Sequence, residues 1–266
     1  MNQGLKEECE LAIFHGSAII VRANKSDTLY HIARKLGSNP EWIERVNHLH
    51  RPFREPGVIF GGDILVVPTI LKQQGVSLAN PSFLSLELAA SMFNMEKEAL
   101  KSINSGNWED RDLKVPALIY MTELSDTLEG IALRFGLNKE EILSLNKDRP
   151  GFSAVNAGLP GYAVIVPVPC GELVVLESTV IGSKLREYAV IYGKAKRDAG
   201  RLVYRITDDN GELITSDREL VTGQENGNWQ SFGAEIYFDR KPSTHSGILS
   251  ILAENGKSLS HKVYFL

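Results

Sequence analysis

The sequence predicts an α+β protein in which three strand, helix, helix, strand units precede an all-β sandwich. Three observations carry that prediction. The stretch SDTLYHIARKLGSNPEWIERVN, beginning at Ser26, returns without a gap as SDTLEGIALRFGLNKEEILSLN at Ser125; a worn copy of the same pattern lies between them; and after Cys170 the chain breaks into short apolar runs separated by Asn and Gly turns. Repetition at a fixed internal spacing marks one supersecondary unit used more than once.

In the first copy Leu29, Ile32, Ala33 and Leu36 follow the spacing of one helical face, Gly37 ends that helix, and Trp42, Ile43 and Val46 begin a second apolar face. The β-rich AIIVRA from Ala18 precedes the helix pair, and ILVVP, ending at Pro68, follows it. The later copy carries ALIYMT from Ala117 and AVIVP ending at Pro167. In the middle copy Leu86, Ala89, Ala90, Phe93, Leu100 and Ile103 hold the same apolar positions ahead of Asn104. There, however, Phe83-Leu84-Ser85 replaces the Ser-Asp-Thr turn, and the chain reaches the closing Val115-Pro116 without a long second loop. Asp27 and Asp126 read as helix N-caps, the latter in a capping box with Glu129. Asn47, Asn104 and Asn146 read as caps or loop braces at the end of each second helix.

Beyond Cys170 the runs LVVLE, YAVIYGKA, RLVYRIT, ELIT, AEIYF, GILSIL and KVYFL are separated by turn signals at Asp209-Asn210-Gly211, Gly227-Asn228 and Asn255-Gly256. Short strands at this spacing argue for a sandwich. Asn228-Trp229-Gln230-Ser231-Phe232 reads as the lead into a strand, with Trp229 in the core.

Composition excludes several functions. Hydrophobic residues at 43% and charged residues at 23% are those of folded globular protein. A net charge of −4 leaves no basic footprint for phosphates, so no nucleic-acid partner is expected. The start MNQGLKEECELAIFHG puts two glutamates where a signal peptide needs a basic segment, and no apolar run approaches a membrane span, so synthesis in the cytoplasm is expected. The two cysteines, Cys9 and Cys170, make neither a disulfide framework nor a CxxC metal spacing. His48 and His50, with His31 upstream, read as a solvated polar loop rather than a metal patch. Cys170 has no histidine near it in sequence to activate a thiol. No enzyme activity, metal or cofactor is expected.

The three copies resemble the LysM domain, with its strand, Gly-Asp-Thr-Leu turn, Ile-Ala on the first helix, Asn at the end of the second and Pro-Gly turn before a closing Ile-Pro strand. Serine replaces the leading glycine at Ser26 and Ser125, and the Pro-Gly turn is Gly61-Gly62 in the first copy and Pro160-Gly161 in the third. The resemblance implies binding of N-acetylglucosamine-containing glycans, such as peptidoglycan, in a groove between the turn after the first strand and the loop before the second. It places that groove at Ser26, Asp27, Thr28, Leu29, Val58 and Ile59 in the first unit, and at Ser125, Asp126, Thr127, Leu128, Gly158 and Leu159 in the third. The middle unit, having lost its loops, is not expected to bind.

Tyr192-Gly193-Lys194-Ala195, the Asp-Asn-Gly turn and Gly227-Asn228-Trp229-Gln230-Ser231-Phe232 resemble the immunoglobulin-like module of bacterial spore germination proteins. The expected organisation is a first LysM-like unit over residues 1–70, a degenerate unit over 71–117, a third over 118–169 and an immunoglobulin-like sandwich over 170–266. The expected role is glycan binding, to peptidoglycan or spore cortex, by a protein deposited on a spore or cell envelope. A scaffold for spore-coat proteins, or a targeting subunit of a wall hydrolase, are the alternatives. Some LysM proteins of spore-forming bacteria pair a leading cysteine within the unit, but the closing strand Ile64-Leu65-Val66-Val67-Pro68 offers no thiol. A bridge from Cys9 to Cys170 would need the first and third units to close around the middle one, and a reducing compartment stands against it.

Overall fold

In the computed structural model, which describes residues 17–69, 75–78, 85–93, 95–104, 112–168, 170–177, 184–223 and 227–266, the first repeat is β1 (Ser17–Arg22), α1 (Leu29–Leu36), α2 (Pro40–Val46) and β2 (Ile64–Thr69). The third is β5 (Ala117–Met121), α5 (Leu128–Phe135), α6 (Lys139–Asn146) and β6 (Ala163–Pro167), with a 3-10 turn at Asn156–Gly158. Between them lie β3 (Gly75–Leu78), α3 (Leu86–Met92), α4 (Lys97–Ile103) and β4 (Leu113–Lys114). Cys9 lies outside the described residues, so its pairing does too.

Helix starts differ from the expectation by one residue. Thr28 Oγ1 accepts from the His31 N–H at 3.2 Å and Thr127 Oγ1 from the Gly130 N–H at 3.0 Å, so the threonines are the N-caps. Asp27 and Asp126 instead accept the N–H three residues back, from Asn24 and Glu123, each at 2.7 Å, and so close the preceding turn. Glu129 makes no capping box with Asp126; it pairs with Lys139 at 3.0 Å. Gly37 and Gly136 do end their helices, in the left-handed region at φ 64° and 68°. Trp42 departs from its apolar face: α2 buries Ile43 and Val46, and Trp42 is exposed.

The strand pairs alternate side chains between two buried faces. In β1 and β2, Ile19, Leu65 and Val67 meet Leu29, Ile32, Ala33 and Ile43 of their own helices, while Ala18, Ile20, Ile64 and Val66 point the other way. In β5 and β6, Tyr120, Val164 and Val166 meet the helices and Ile119, Ala163 and Ile165 point away. These outward faces join Val76, Leu86, Ala89, Phe93, Leu100 and Leu113 of the middle segment in one shared core. The middle strands also extend the first sheet, in the order β2-β1-β3-β4 with β3 parallel to β1.

Each second helix is pinned to its closing strand by the asparagine at its end. Asn47 Nδ2 donates to the carbonyls of Ile43 and Val66, both at 2.7 Å, and its Oδ1 accepts the Val66 N–H at 2.8 Å. Asn146 does the same with Ile142 and Ile165, and Asn104 with Leu100 and Lys114. The bond reaches across to the strand rather than into the loop, so each asparagine fixes the spacing of two elements.

The C-terminal region is β-rich: β7 (Val174–Leu176), β8 (Lys184–Leu185), β9 (Val190–Lys196), β10 (Leu202–Asp208), β11 (Leu213–Glu219), β12 (Val221–Thr222), β13 (Trp229–Glu235), β14 (Ser246–Ala253) and β15 (Ser258–Phe265). They form two sheets, β11-β10-β14-β15-β8 and β12-β13-β9-β7, whose facing side chains share a core. The segment around Trp229 is a strand and not the lead into one; the AEIYF run ends that strand at Glu235, with Ile236 buried beyond it. Trp229 is buried, but against Val175 and Ala99 of α4, outside the core between the sheets. Lys196 with Glu96 at 2.7 Å, and the Tyr264 hydroxyl donating to the Arg134 carbonyl at 2.8 Å, further tie this region to the repeats.

Candidate functional site

The turn and the second loop come together in both the first and the third unit. In the third, a Cβ on Gly158 would lie 2.0 Å from the Asp126 carbonyl oxygen, so only glycine permits the approach. Thr122 clasps the same loop from below: its hydroxyl donates to the Leu159 carbonyl and accepts the Tyr162 N–H at 2.9 Å. In the first unit the closure falls at Gly61, where a Cβ would meet Lys25 Cγ at 2.8 Å.

The candidate residues divide by exposure. Ser26, Thr28, Ser125 and Thr127 are exposed and Asp27 and Asp126 half-buried; on the opposite wall Val58 is exposed, and Ile59, Gly158 and Leu159 half-buried. Leu29 at 7% and Leu128 at 1% exposure face their helical cores and are not accessible on the loop surface. Asp126 is committed internally: its carboxylate also accepts the Tyr120 hydroxyl at 2.7 Å and lies 3.4 Å from Arg134. Burial, and then this hydrogen bond, push the Tyr120 hydroxyl pKa upward. Asp27 has no such network, because Val21 and Lys35 stand where the third unit has Tyr120 and Arg134.

Phe60 is a further exposed residue of the second loop that the sequence reading did not include among the candidates. It is 59% exposed, with the Arg54 guanidinium 4.6 Å from its ring centroid, and Arg54 is held in place by Asp63. Its counterpart in the repeat is Leu159, already a candidate, so carrying the repeat register through the second loop would have found it.

The histidines are not a solvated loop. His48 is buried at φ 49°, edge-on to Tyr162 at 5.0 Å and 5.5 Å from Phe53, because the loops of the two units pack on each other there. Burial, then the neighbouring His50, hold its pKa below the usual histidine value. His50 is half-buried beside it and His31 is exposed on α1. No group of three or more His, Cys, Asp or Glu among the described residues is placed to hold a metal ion. Burial pushes the Cys170 thiol up to about 12, and it donates to the Val168 carbonyl at 3.3 Å, which makes it a poor nucleophile.

The first and third units thus share a strand, helix, helix, strand order with a threonine-capped turn against a second loop. Residues 22–68 and 120–158 match the LysM domain family. LysM domains bind glycans that contain N-acetylglucosamine, such as peptidoglycan, and are not catalytic. No curated protein matches the chain. Among the described residues no helix is long and apolar enough to cross a membrane.

Proposed function

We propose that this chain is a non-catalytic glycan-binding protein whose first and third units take N-acetylglucosamine polymer, peptidoglycan or spore cortex, into the grooves described above. The observation that carries the reading is the apposition, in both units, of a Ser-Asp-Thr turn with exposed serine and threonine to a second loop. An acetamido group asks for one donor and one acceptor, which loop backbone supplies, and apolar wall residues such as Val58 and Phe60 support a sugar face. On this reading the middle segment is a LysM-like unit retained for its core, which its Asn104 pin and shared packing support. The C-terminal region is an immunoglobulin-like module of the spore germination type, and the protein is deposited on the spore or cell envelope.

Scaffolding has support of its own. Where α4 stops covering the sheet β12-β13-β9-β7, its outer face exposes Val190, Tyr192 and Val221, flanked by Tyr188. An exposed apolar patch of this kind suits a protein partner such as a spore-coat component.

Co-sedimentation of the full chain with purified peptidoglycan, competed by chito-oligosaccharides and run beside spore-coat extract, separates the readings. Binding to the glycan with amide shifts at Ser26–Leu29, Val58–Ile59, Ser125–Leu128 and Gly158–Leu159 is the expected result. Retention of coat protein with no glycan binding would sink the glycan assignment in favour of the scaffold.

A further inference from the structure

The loops that wall the two grooves are joined by a buried cation. Arg149, 3% exposed, donates from Nη2 to Asn47 Oδ1 at 2.8 Å and from Nη1 to Asn146 Oδ1 at 3.3 Å, and its guanidinium sits 4.7 Å from the Tyr162 ring centroid. Asn47 and Asn146 are the equivalent pins of the first and third units, so one planar group is gripped by both units at the same place in each. Around it the Ile64 N–H donates to the Asp148 carbonyl at 3.0 Å, Arg22 pairs with Asp148 at 3.1 Å, and a Cβ on Gly151 would lie 3.2 Å from Phe53. The groove walls run directly into this joint. Leu159 leads through Pro160 and Gly161 to Tyr162, whose ring meets both Arg149 and His48, and on the other side Arg54 contacts both Val58 and Phe60.

A planar fork held by two acceptors from different bodies fixes orientation as well as distance. The strand backs of both units are also buried in one core, so the pair cannot behave as beads on a string. We propose that the first and third units bind a single linear N-acetylglucosamine oligomer as one rigid two-groove site, with Arg149 as the positioning residue that sets the angle between the grooves. This rests on the glycan reading above. A ligand that reaches both grooves gains because the second contact is intramolecular, and the gain is largest when the two sites are already held at the right span.

Titration calorimetry of the full chain with chito-oligosaccharides from trimer to octamer tests it. Two trimers per chain but one octamer are expected, with the octamer tighter by about 10-fold or more. Arg149→Met is expected to keep trimer affinity and lose most of the octamer gain. That variant should fold, since a buried charge replaced by an apolar side chain of similar size is often tolerated, and both asparagine oxygens keep their strand N–H partners. Should it not melt cooperatively, Arg149→Lys keeps the charge without the fork and takes its place, and the wild-type length series stands without either. Two octamers per chain, or no gain with length, overturns the two-groove site while leaving glycan binding intact. An undiminished gain in the variant, or equal loss for trimer and octamer, overturns the positioning role. If no oligomer binds the wild type, the glycan reading fails and the proposal with it.

Discussion

Single residues in this chain carry identifiable strain and cost. Ser125 stands where the family pattern has glycine, and it adopts φ 77°, a region that favours residues without a Cβ. Ser125→Gly should therefore stabilise the protein, by up to about 1 kcal/mol once glycine's extra backbone entropy is set against the relieved strain. Denaturant midpoints of the two proteins check this, and a lower midpoint for the variant refutes it. His261 is a second case. It points into the core between the two C-terminal sheets with neither ring nitrogen hydrogen-bonded, and burial lowers its pKa from 6.5 to about 4. Between those two values the unfolded chain takes up a proton that the folded chain refuses, so stability falls as pH falls through that window. The loss is on the order of 3 kcal/mol in total and levels off below the folded value. Stability measured from neutral pH to acid should show this limb, and His261→Leu should flatten it.

At the scale of elements, the asparagine pins separate the units by burial. Asn146 is fully buried with three hydrogen bonds that join α6 to β6, whereas Asn104 makes the same three bonds half-exposed between α4 and β4. Deleting a partner in a buried site strands the strand's N–H and carbonyl away from water. Asn146→Ala is therefore expected to cost about 3 kcal/mol or more and Asn104→Ala about 1 kcal/mol. Equal costs in chemical denaturation would mean that solvent reaches both pins alike. The capping threonines and turn aspartates belong to this scale too. Sequence spacing locates the turn, but which of two adjacent polar residues caps the helix depends on where α1 and α5 begin, a matter of one residue that packing decides.

For the whole molecule, the distribution of cores predicts which pieces stand alone. The C-terminal sheets close a core of their own, so a fragment from residue 170 onward should unfold cooperatively. Its only tryptophan, Trp229, should emit as an exposed indole, because Ala99 of α4 no longer covers it. Residues 1–70 alone should not unfold cooperatively: without the rest of the chain Ala18, Ile20, Ile64 and Val66 lose the core that buries them. Circular dichroism melts of the two fragments decide both points. A cooperative melt of the first unit by itself would show that the shared core is dispensable.

What the sequence determined by itself follows from local periodicity. The helix faces at Leu29–Leu36 and Leu128–Phe135, the terminating glycines, the paired strands around Ile19 and Ile119, the helix pair of the middle segment and the change to strands after Cys170 are all written in spacings of two and about three and a half residues. The turn and second loop of the first and third units were legible for the same reason, since the repeat marks them. Tertiary structure decided the rest, because it depends on which surfaces meet. Trp42 occupies an apolar position yet faces solvent; Trp229 is buried by a helix from another segment; His48 reads as a loop residue and lies, with Arg149, buried between two units. No periodicity encodes the meeting of residues as far apart as Asn47 and Arg149. It arises because strands with two apolar faces must bury both, which draws the first and third units together and places a cation between their asparagines.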